Sequence, residues 1–421
     1  MGHRTLKSGY QQISDRLNLF PQGAPPSEYL FKILKVLMKE KEAEMISQLP
    51  IKPFDAAMSA SILHLPKEDA VKVLDELASR ALLVDVQKPD GNTMYMLPPP
   101  MAGFFEFSLM RVRTDIDQKM LSELFYQYLN VEEDFVRDLF VKGETKLTRA
   151  FVNEDSLPKD QELHILDYER ASSMIKNASD HGVGLCYCRH KMEHMGMACD
   201  APMEICMTLG NVATSLIRHG HARQTSVHEM MGLLEKAWDH NLVQIGENQQ
   251  AEVPFICNCC GCCCEALLAV KRFGTTHAIN TTNFLPVVDA PLCTGCNRCV
   301  KACPMDAIKI VEGKAVVDEE VCIGCGLCAR ACNRGALRMA ARERRVITPV
   351  NSVHRVALMA IERGTLQNLI FDNQAYMSHR AMAALFGAVL KLPPVKRLMA
   401  TEQVRSKYLV SLIDSYQRKN P

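Results

Sequence analysis

The sequence predicts a multidomain α+β protein, and three observations carry that expectation. Its 421 residues exceed one ordinary domain, the periodicity of its apolar residues changes along the chain, and all 18 cysteines fall between Cys186 and Cys332. Helical periodicity with one hairpin fills the first third. A cysteine-rich α/β region (162–285), an internally repeated module (290–340) and a helical C-terminal extension (352–421) follow. A hydrophobic share of 48% suffices for true cores. With 49 Lys+Arg against 48 Asp+Glu, no net field draws the chain onto nucleic acid or an anionic membrane.

Residues 1–26 read as an N-terminal arm closed by the proline-rich stretch Phe20–Pro26. Apolar spacing predicts helices over 28–41, 54–63 and 67–82, and Leu83–Gln87 and Thr93–Leu97 flank a Pro89-Asp-Gly-Asn turn as a hairpin. Three helices followed by a hairpin resemble a winged helix, spanning 27–110. The helix in the recognition position sets Lys67, Lys72 and Arg80 against Glu68, Asp69, Asp75 and Glu76, a net charge of −1. Phosphate contact wants several positive charges, so a structural or protein-binding role is favoured over DNA.

Beyond Pro98-Pro-Pro, amphipathic helices over 113–141 make a connector (111–152), and 153–161 reads as a linker. Ser226-Val-His-Glu229 has capping-box spacing. A basic linker, 341–350, leads into the tail, where Met359, Leu366, Leu369, Ile370 and Phe371, then Met382, Leu385, Phe386 and Leu390, form apolar stripes. These suit a cap packed on its own protein, with a docking element as the alternative. The first twenty residues lack the apolar stretch of a secretory signal and a twin-Arg pair, and no segment approaches 18 consecutive apolar residues. The expected location is the cytoplasm, without a membrane span, where cysteines serve as metal ligands rather than disulfides.

The strongest signal is a repeat at a 29-residue offset. Cys293-Thr-Gly-Cys296-Asn-Arg-Cys299-Val-Lys-Ala-Cys303-Pro304 returns as Cys322-Ile-Gly-Cys325-Gly-Leu-Cys328-Ala-Arg-Ala-Cys332-Asn333. Three thiolates two residues apart wrap three corners of a cubane, and the fourth is expected to begin a helix that carries it to the other cubane. One cluster then uses Cys293, Cys296, Cys299 and Cys332, and the other Cys322, Cys325, Cys328 and Cys303. Gly295, Gly324 and Gly326 allow backbone N–H groups close to sulfur, while Arg298, Lys301, Arg330 and Arg334 offset anionic charge. Zinc sites take four ligands in two pairs, whereas two complete quartets stand here. Residues 290–340 closely resemble the bacterial dicluster ferredoxin, which implies two [4Fe–4S] clusters and single-electron relay. Asn333 departs from that family's usual proline without removing a ligand.

Ten cysteines lie upstream: Cys186, Cys188, Cys199 and Cys206, then Cys257, Cys259, Cys260, Cys262, Cys263 and Cys264. In an extended segment Cys186 and Cys188 share a face, about 6.6 Å apart along the chain, with Arg189 beside them. The later run leads into a helix at Glu265, whose N-terminus favours thiolates. Ten thiols suffice for two further four-ligand clusters, for one cluster and a reactive pair, or for a zinc site in one group. His190 and His194 read as surface residues, with a ligand role as the alternative. The C-x-C-R segment, Cys199-Asp-x-Pro202 and the C-N-C-C-x-C-C-C run resemble those of large ferredoxin-like proteins of anaerobic bacteria over 162–340. That resemblance implies a multi-cluster redox protein and fixes no substrate.

The expected function is an iron–sulfur electron-transfer protein or subunit with one or more clusters upstream of the repeat. Its expected partner is a ferredoxin, a flavoprotein or an oxidoreductase subunit. One alternative is an iron–sulfur oxidoreductase with a catalytic cluster or reactive thiols in 257–264. Another is a redox-sensing winged-helix regulator that binds DNA. No G-x-G-x-x-G fingerprint marks an NAD or FAD site.

Overall fold

The computed structural model describes residues 7–157, 165–273, 278–343, 345–372 and 376–390. Residues 158–161 of the expected linker and 391–415 of the expected helical tail lie outside them. The chain divides into two compact units: residues 1–105 with 142–145 and 349–421, and residues 106–141 with 146–348.

The first unit begins with α1 (Gly9–Leu17), α2 (Glu28–Leu37), α3 (Glu40–Gln48), β1 (Phe54–Asp55), α4 (Ala56–Leu63), α5 (Lys67–Ser79), β2 (Val84–Gln87) and β3 (Thr93–Met96). The expected N-terminal arm is thus a packed helix. Ser8 accepts from the Gln11 N–H, the Gln11 side chain accepts from the Ser8 N–H, and Ile13 and Leu17 are buried. Buried Arg16 donates to the carbonyls of Leu49 and Pro50. The single helix expected over 28–41 is two, because Met38 turns extended and Glu42 accepts from the Lys39 N–H at 2.7 Å, capping a new start. In the hairpin Val84 pairs with Met96 and Gln87 with Thr93, and β1 adds on the far side of β3. On α5 Lys72 pairs with Asp69 at 3.3 Å, and Arg80, at its C-cap, pairs with Glu42 at 2.8 Å.

The second unit opens within the short α6 (Phe105–Phe107) and continues with α7 (Gln118–Tyr126) and α8 (Asp134–Val136). Then come β4 (Thr148–Ala150), α9 (Ala171–Asn177), β5 (His181–Leu185), α10 (Tyr187–His194), β6 (Glu204–Leu209), α11 (Gly210–Arg218), β7 (Arg223–Gln224), α12 (Val227–Asp239), β8 (Val243–Glu247), β9 (Phe255–Cys259) and α13 (Glu265–Phe273). Six strands form one sheet, β4-β8-β9-β6-β5-β7, antiparallel at every pair. The alternating α/β region expected here is therefore α+β in arrangement, since successive strands such as β8 and β9 return directly alongside one another. Met207, Ile256, Met230, Leu234 and Trp238 pack α12 onto this sheet. A buried polar chain runs beneath, from Trp238 Nε1 to Gln244 Oε1 (2.7 Å), Gln244 Nε2 to Asn258 Oδ1 (2.9 Å) and Asn258 Nδ2 to the Ile205 carbonyl (2.8 Å). It locks β9, the strand that ends in cysteines. Only half of the expected capping box forms: Ser226 accepts from the Glu229 N–H, but the Glu229 carboxylate is taken by Arg223 and Thr225.

The repeat folds as β10 (Phe284–Val288), α14 (Arg298–Ala302), β11 (Ile308–Val311), β12 (Lys314–Val317), α15 (Leu327–Arg330) and β13 (Leu337–Ala341), with β10 on β13 and β11 on β12. Its strands begin at Phe284, ahead of the expected 290, since β10 pairs with β13 from Phe284 to Val288. The preceding segment stitches it to the large sheet: Asn280 exchanges backbone bonds with Thr148 and Ala150, and the Thr282 N–H reaches the Ile323 carbonyl at 3.0 Å. The expected linkers are held on both sides. The Asn153 N–H donates to the Cys325 carbonyl at 2.8 Å, and Arg342 donates to the carbonyls of Thr282 (2.9 Å) and Cys322 (3.1 Å).

The tail, in the first unit, forms α16 (Ser352–Arg363), α17 (Leu366–Ile370) and α18 (Met377–Leu390). Its apolar stripe divides. Met359 and Leu366 are buried, whereas α18 buries Ala383 and Gly387 and leaves Met382 and Leu385 exposed.

Candidate metal centres

The ten upstream cysteines do not group as they run in sequence. The sulfurs of Cys199, Cys260, Cys262 and Cys263 all lie within 4.8 Å of one another. A second set is looser: Cys188 neighbours Cys264, Cys264 neighbours Cys259, Cys259 neighbours Cys257 and Cys257 neighbours Cys206, with Cys186 close to Cys257, but among the described residues no three of these sulfurs lie within 4.8 Å of one another. The alternation of β9 explains the division. Cys257 and Cys259 share one face of the strand, and the turn that follows carries Cys260, Cys262 and Cys263 to another side before α13 begins.

Cys186 and Cys188 do not share the extended segment that their spacing suggested: Cys186 keeps extended backbone, but Cys188 is helical. Cys186 precedes α10 and its sulfur accepts from the Arg189 N–H, so Cys188 already lies in the first helical turn. Burial pushes the Cys186 thiol up to about 12. Cys264 stands likewise at the head of α13. Thiol hydrogen bonds from Cys188 and Cys259, joined by the N–H groups of Leu267 and Ala266, hold it well below the ordinary thiol range. Cys260 is also lowered, first by the Cys263 thiol and then by the Arg189 guanidinium.

Arg189 is fully buried and donates to the sulfurs of Cys199 (3.4 Å) and Cys260 (3.6 Å) and to the Pro202 carbonyl (2.5 Å). His190, expected at the surface, is buried and bonded to the Leu109 carbonyl through Nδ1 at 2.8 Å. The expectation missed this because α10 is buried on nearly every side, at Tyr187 and from Arg189 through Met192, rather than along one amphipathic face. It also missed a buried charge network behind the second set. Lys191 Nζ binds Glu265 and Asn130, Asn130 Nδ2 donates to Glu265 Oε2 at 2.6 Å, and the Tyr126 ring lies 5.4 Å from Lys191 Nζ. This network ties α10 to α13. The sequence signal for it was a charged residue immediately after Cys264 and another one helical turn after Cys188.

In the repeat, Cys303, Cys322, Cys325 and Cys328 line one cavity with Met305, Ala307, Ile308 and Ile323. The thiols apart, those walls are apolar, so the space suits a group that binds sulfur and excludes water. Three thiols come from one half of the repeat and the fourth from the other. Cys293, Cys299 and Cys332 lie in a neighbouring apolar cluster with Ala315 and Leu337, which also takes in Cys303 and Cys328, while Cys296 is exposed. The fourth cysteine does not begin a helix: Cys303 closes α14, because Pro304 forces the residue before it into extended backbone. Cys332, lacking that proline, leaves its helix through a turn in which the Gly335 N–H bonds its carbonyl at 3.0 Å.

Backbone N–H groups do reach sulfur. Ala307 donates to Cys303 and Ala315 to Cys293, each at 3.4 Å, and Gly295 and Gly324 serve Cys293 and Cys322. Gly326 has a different task, since a Cβ there would lie 2.2 Å from Ser156 Oγ. Burial raises the thiols of Cys303, Cys322, Cys325 and Cys328. A dry quartet of this kind surrenders its protons only to a cation that replaces them. The cations beside the sulfurs are Lys314 near Cys293, Lys271 near Cys303 and Arg342 near Cys322. Arg330 is instead turned to Asp239 (2.7 Å) and the Trp238 carbonyl, and among the described residues the side chains of Arg298, Lys301 and Arg334 make no ion pair. Sequence adjacency pointed to the wrong cations because the neighbouring charges arrive from other parts of the fold.

Residues 285–333 match the 4Fe-4S dicluster domain. This domain carries iron–sulfur electron-transfer chemistry. No curated protein matches the chain.

The dicluster domain shares its interior with the upstream cysteines. Cys257, Cys259 and Cys264 pack in one apolar core with Cys303, Cys322 and Cys325, around Met305, Ile323 and Leu327. The contact is closest at Gly261, where a Cβ would stand 2.1 Å from the Pro304 carbonyl oxygen, so only glycine lets the upstream turn meet the Cys303-Pro304 loop. Among the described residues no helix is long and apolar enough to cross a membrane.

Proposed function

We propose that this chain is an electron-transfer protein or subunit whose dicluster domain holds one cubane with Cys293, Cys296, Cys299 and Cys332 and another with Cys322, Cys325, Cys328 and Cys303. A third cluster draws its ligands from Cys186, Cys188, Cys206, Cys257, Cys259 and Cys264. The reading rests on one observation above all: four thiols from both halves of the repeat line a single apolar cavity. A bound cubane supplies single-electron chemistry at a potential between about −700 and +450 mV that its surroundings select. The chain's own part is to keep water out, to aim N–H groups of Gly295, Gly324, Ala307 and Ala315 at sulfur, and to place Lys271, Lys314 and Arg342 where negative charge accumulates. The shared core of Cys257, Cys259 and Cys264 with Cys303, Cys322 and Cys325 supports relay between the upstream cluster and the domain. The partner is a ferredoxin, a flavoprotein or an oxidoreductase subunit.

Iron and acid-labile sulfide analysis of protein purified without air, joined to EPR of the reduced form, tests the proposal. About twelve irons per chain are expected, eight from the domain and four from upstream. Fewer than about eight would reject the dicluster assignment itself.

Residues 27–110 act in this proposal as a winged-helix-like element that contacts protein rather than DNA. Lys72 on α5 and Arg80 at its C-cap are already paired with Asp69 and Glu42, which supports that role. No retardation of duplex DNA at low salt is the expected outcome, and a salt-sensitive shift would reverse it.

A further inference from the structure

Cys199, Cys260, Cys262 and Cys263 have a geometry unlike that of a cubane site. Their sulfurs stand 3.6 Å (Cys199 to Cys260), 3.9 Å (Cys199 to Cys263) and 3.7 Å (Cys262 to Cys263) apart. Four sulfurs each about 2.3 Å from one central ion sit at the corners of a tetrahedron with edges of about 3.8 Å. A cubane carries a separate iron at each liganded corner with sulfide between, and so holds its ligand sulfurs much farther apart than these.

We infer that these four cysteines form a mononuclear tetrathiolate site for one zinc ion, separate from the iron–sulfur clusters. Arg189 gives an independent reason. It is wholly buried, and among the described residues its side chain bonds no carboxylate; it donates to the Cys199 and Cys260 sulfurs and the Pro202 carbonyl, with the Cys186 sulfur of the second set also near. A buried guanidinium requires negative charge beside it, and thiolates alone can provide that here. Four thiolates around a divalent ion sum to −2, which Arg189 brings to −1. Each ligand releases its thiol proton to water as the ion enters. Ligand position fits as well. Cys199 comes from the loop between α10 and β6 and the other three from the turn between β9 and α13, so one ion joins two loops far apart in sequence beside the second thiol set. All-cysteine coordination with no open position is the pattern of structural zinc.

The test is metal and sulfide analysis of the full chain, purified without air, as wild type, Cys263→Ser and Cys262→Ser. The proposal expects one zinc per chain in the wild type, lost in both variants, with iron and sulfide unchanged. Cys262 is exposed, so its replacement removes a ligand without opening the core. Cobalt exchanged into the intact wild type should give the visible spectrum of a tetrahedral thiolate site, a reading that needs no variant to fold. Loss of about four irons and four sulfides from Cys263→Ser would overturn the inference in favour of a cluster. So would a single iron without sulfide, or a wild type that holds no zinc. The same samples report the dicluster iron separately, so failure of the zinc site and failure of the electron-transfer proposal are distinct results.

Discussion

The two cysteine-rich regions of this molecule obey different rules. In the dicluster domain three thiols of each proposed quartet lie on one short segment, so the spacing Cys322, Cys325, Cys328 is itself most of the candidate site, and the cavity adds only Cys303 from the other half. Upstream, neighbours in sequence part company and distant residues meet: Cys199 reaches Cys260, and Cys188 reaches Cys264. Loop-borne ligands can be read from spacing. Ligands distributed by a sheet and two helix starts can be read only from the fold.

The largest expected effect sharpens the first half of that contrast. Cys325→Ser removes one wall of the cavity and should cost the protein about four irons, counted against sulfide in the same sample. An unchanged iron count would mean that the repeat does not bind as its spacing suggests. Next comes Lys191→Met, which strands the Glu265 carboxylate in the interior and should destabilise the second unit by about 3–5 kcal/mol in urea unfolding. The double replacement Lys191→Met with Glu265→Leu should recover most of that loss, and no recovery would show that the network does more than balance charge.

Smaller still is Gly261→Ala, where the added methyl meets the Pro304 carbonyl. A cost of about 1–3 kcal/mol is expected, with the denaturation midpoint followed by cluster absorbance. Equal stability in the variant would separate the upstream turn from the dicluster domain. Ser226→Ala is the smallest, about 1 kcal/mol for the lost cap of α12, with iron content untouched.

Much of this was legible in advance, for identifiable reasons. The hairpin of β2 and β3, the repeat and the start of α12 followed from turn residues, spacing and capping preference. The two-residue strand β1 was too short to leave a pattern, and the split between α2 and α3 turned on one extended residue, Met38. The arm became α1 because its apolar positions, Ile13 and Leu17, cover barely one face of a short helix, a signal too weak to weigh against the proline-rich stretch that follows. At the metal centres sequence identified the thiols and Arg189. It did not identify Lys191, Glu265 and Asn130, or the Lys271, Lys314 and Arg342 charges, since their positions depend on contacts between segments far apart in the chain.

Of the eight thiols in the dicluster domain, Cys296 is the most open to water, while Cys293 and Cys332 are partly covered. A docking protein that covers Cys296 dries one quartet and leaves the other as it was. Solvent exposure helps to set a cluster's potential, so such contact would change the step in energy between the two halves. The acceptor of the electron would then also adjust how readily the electron comes.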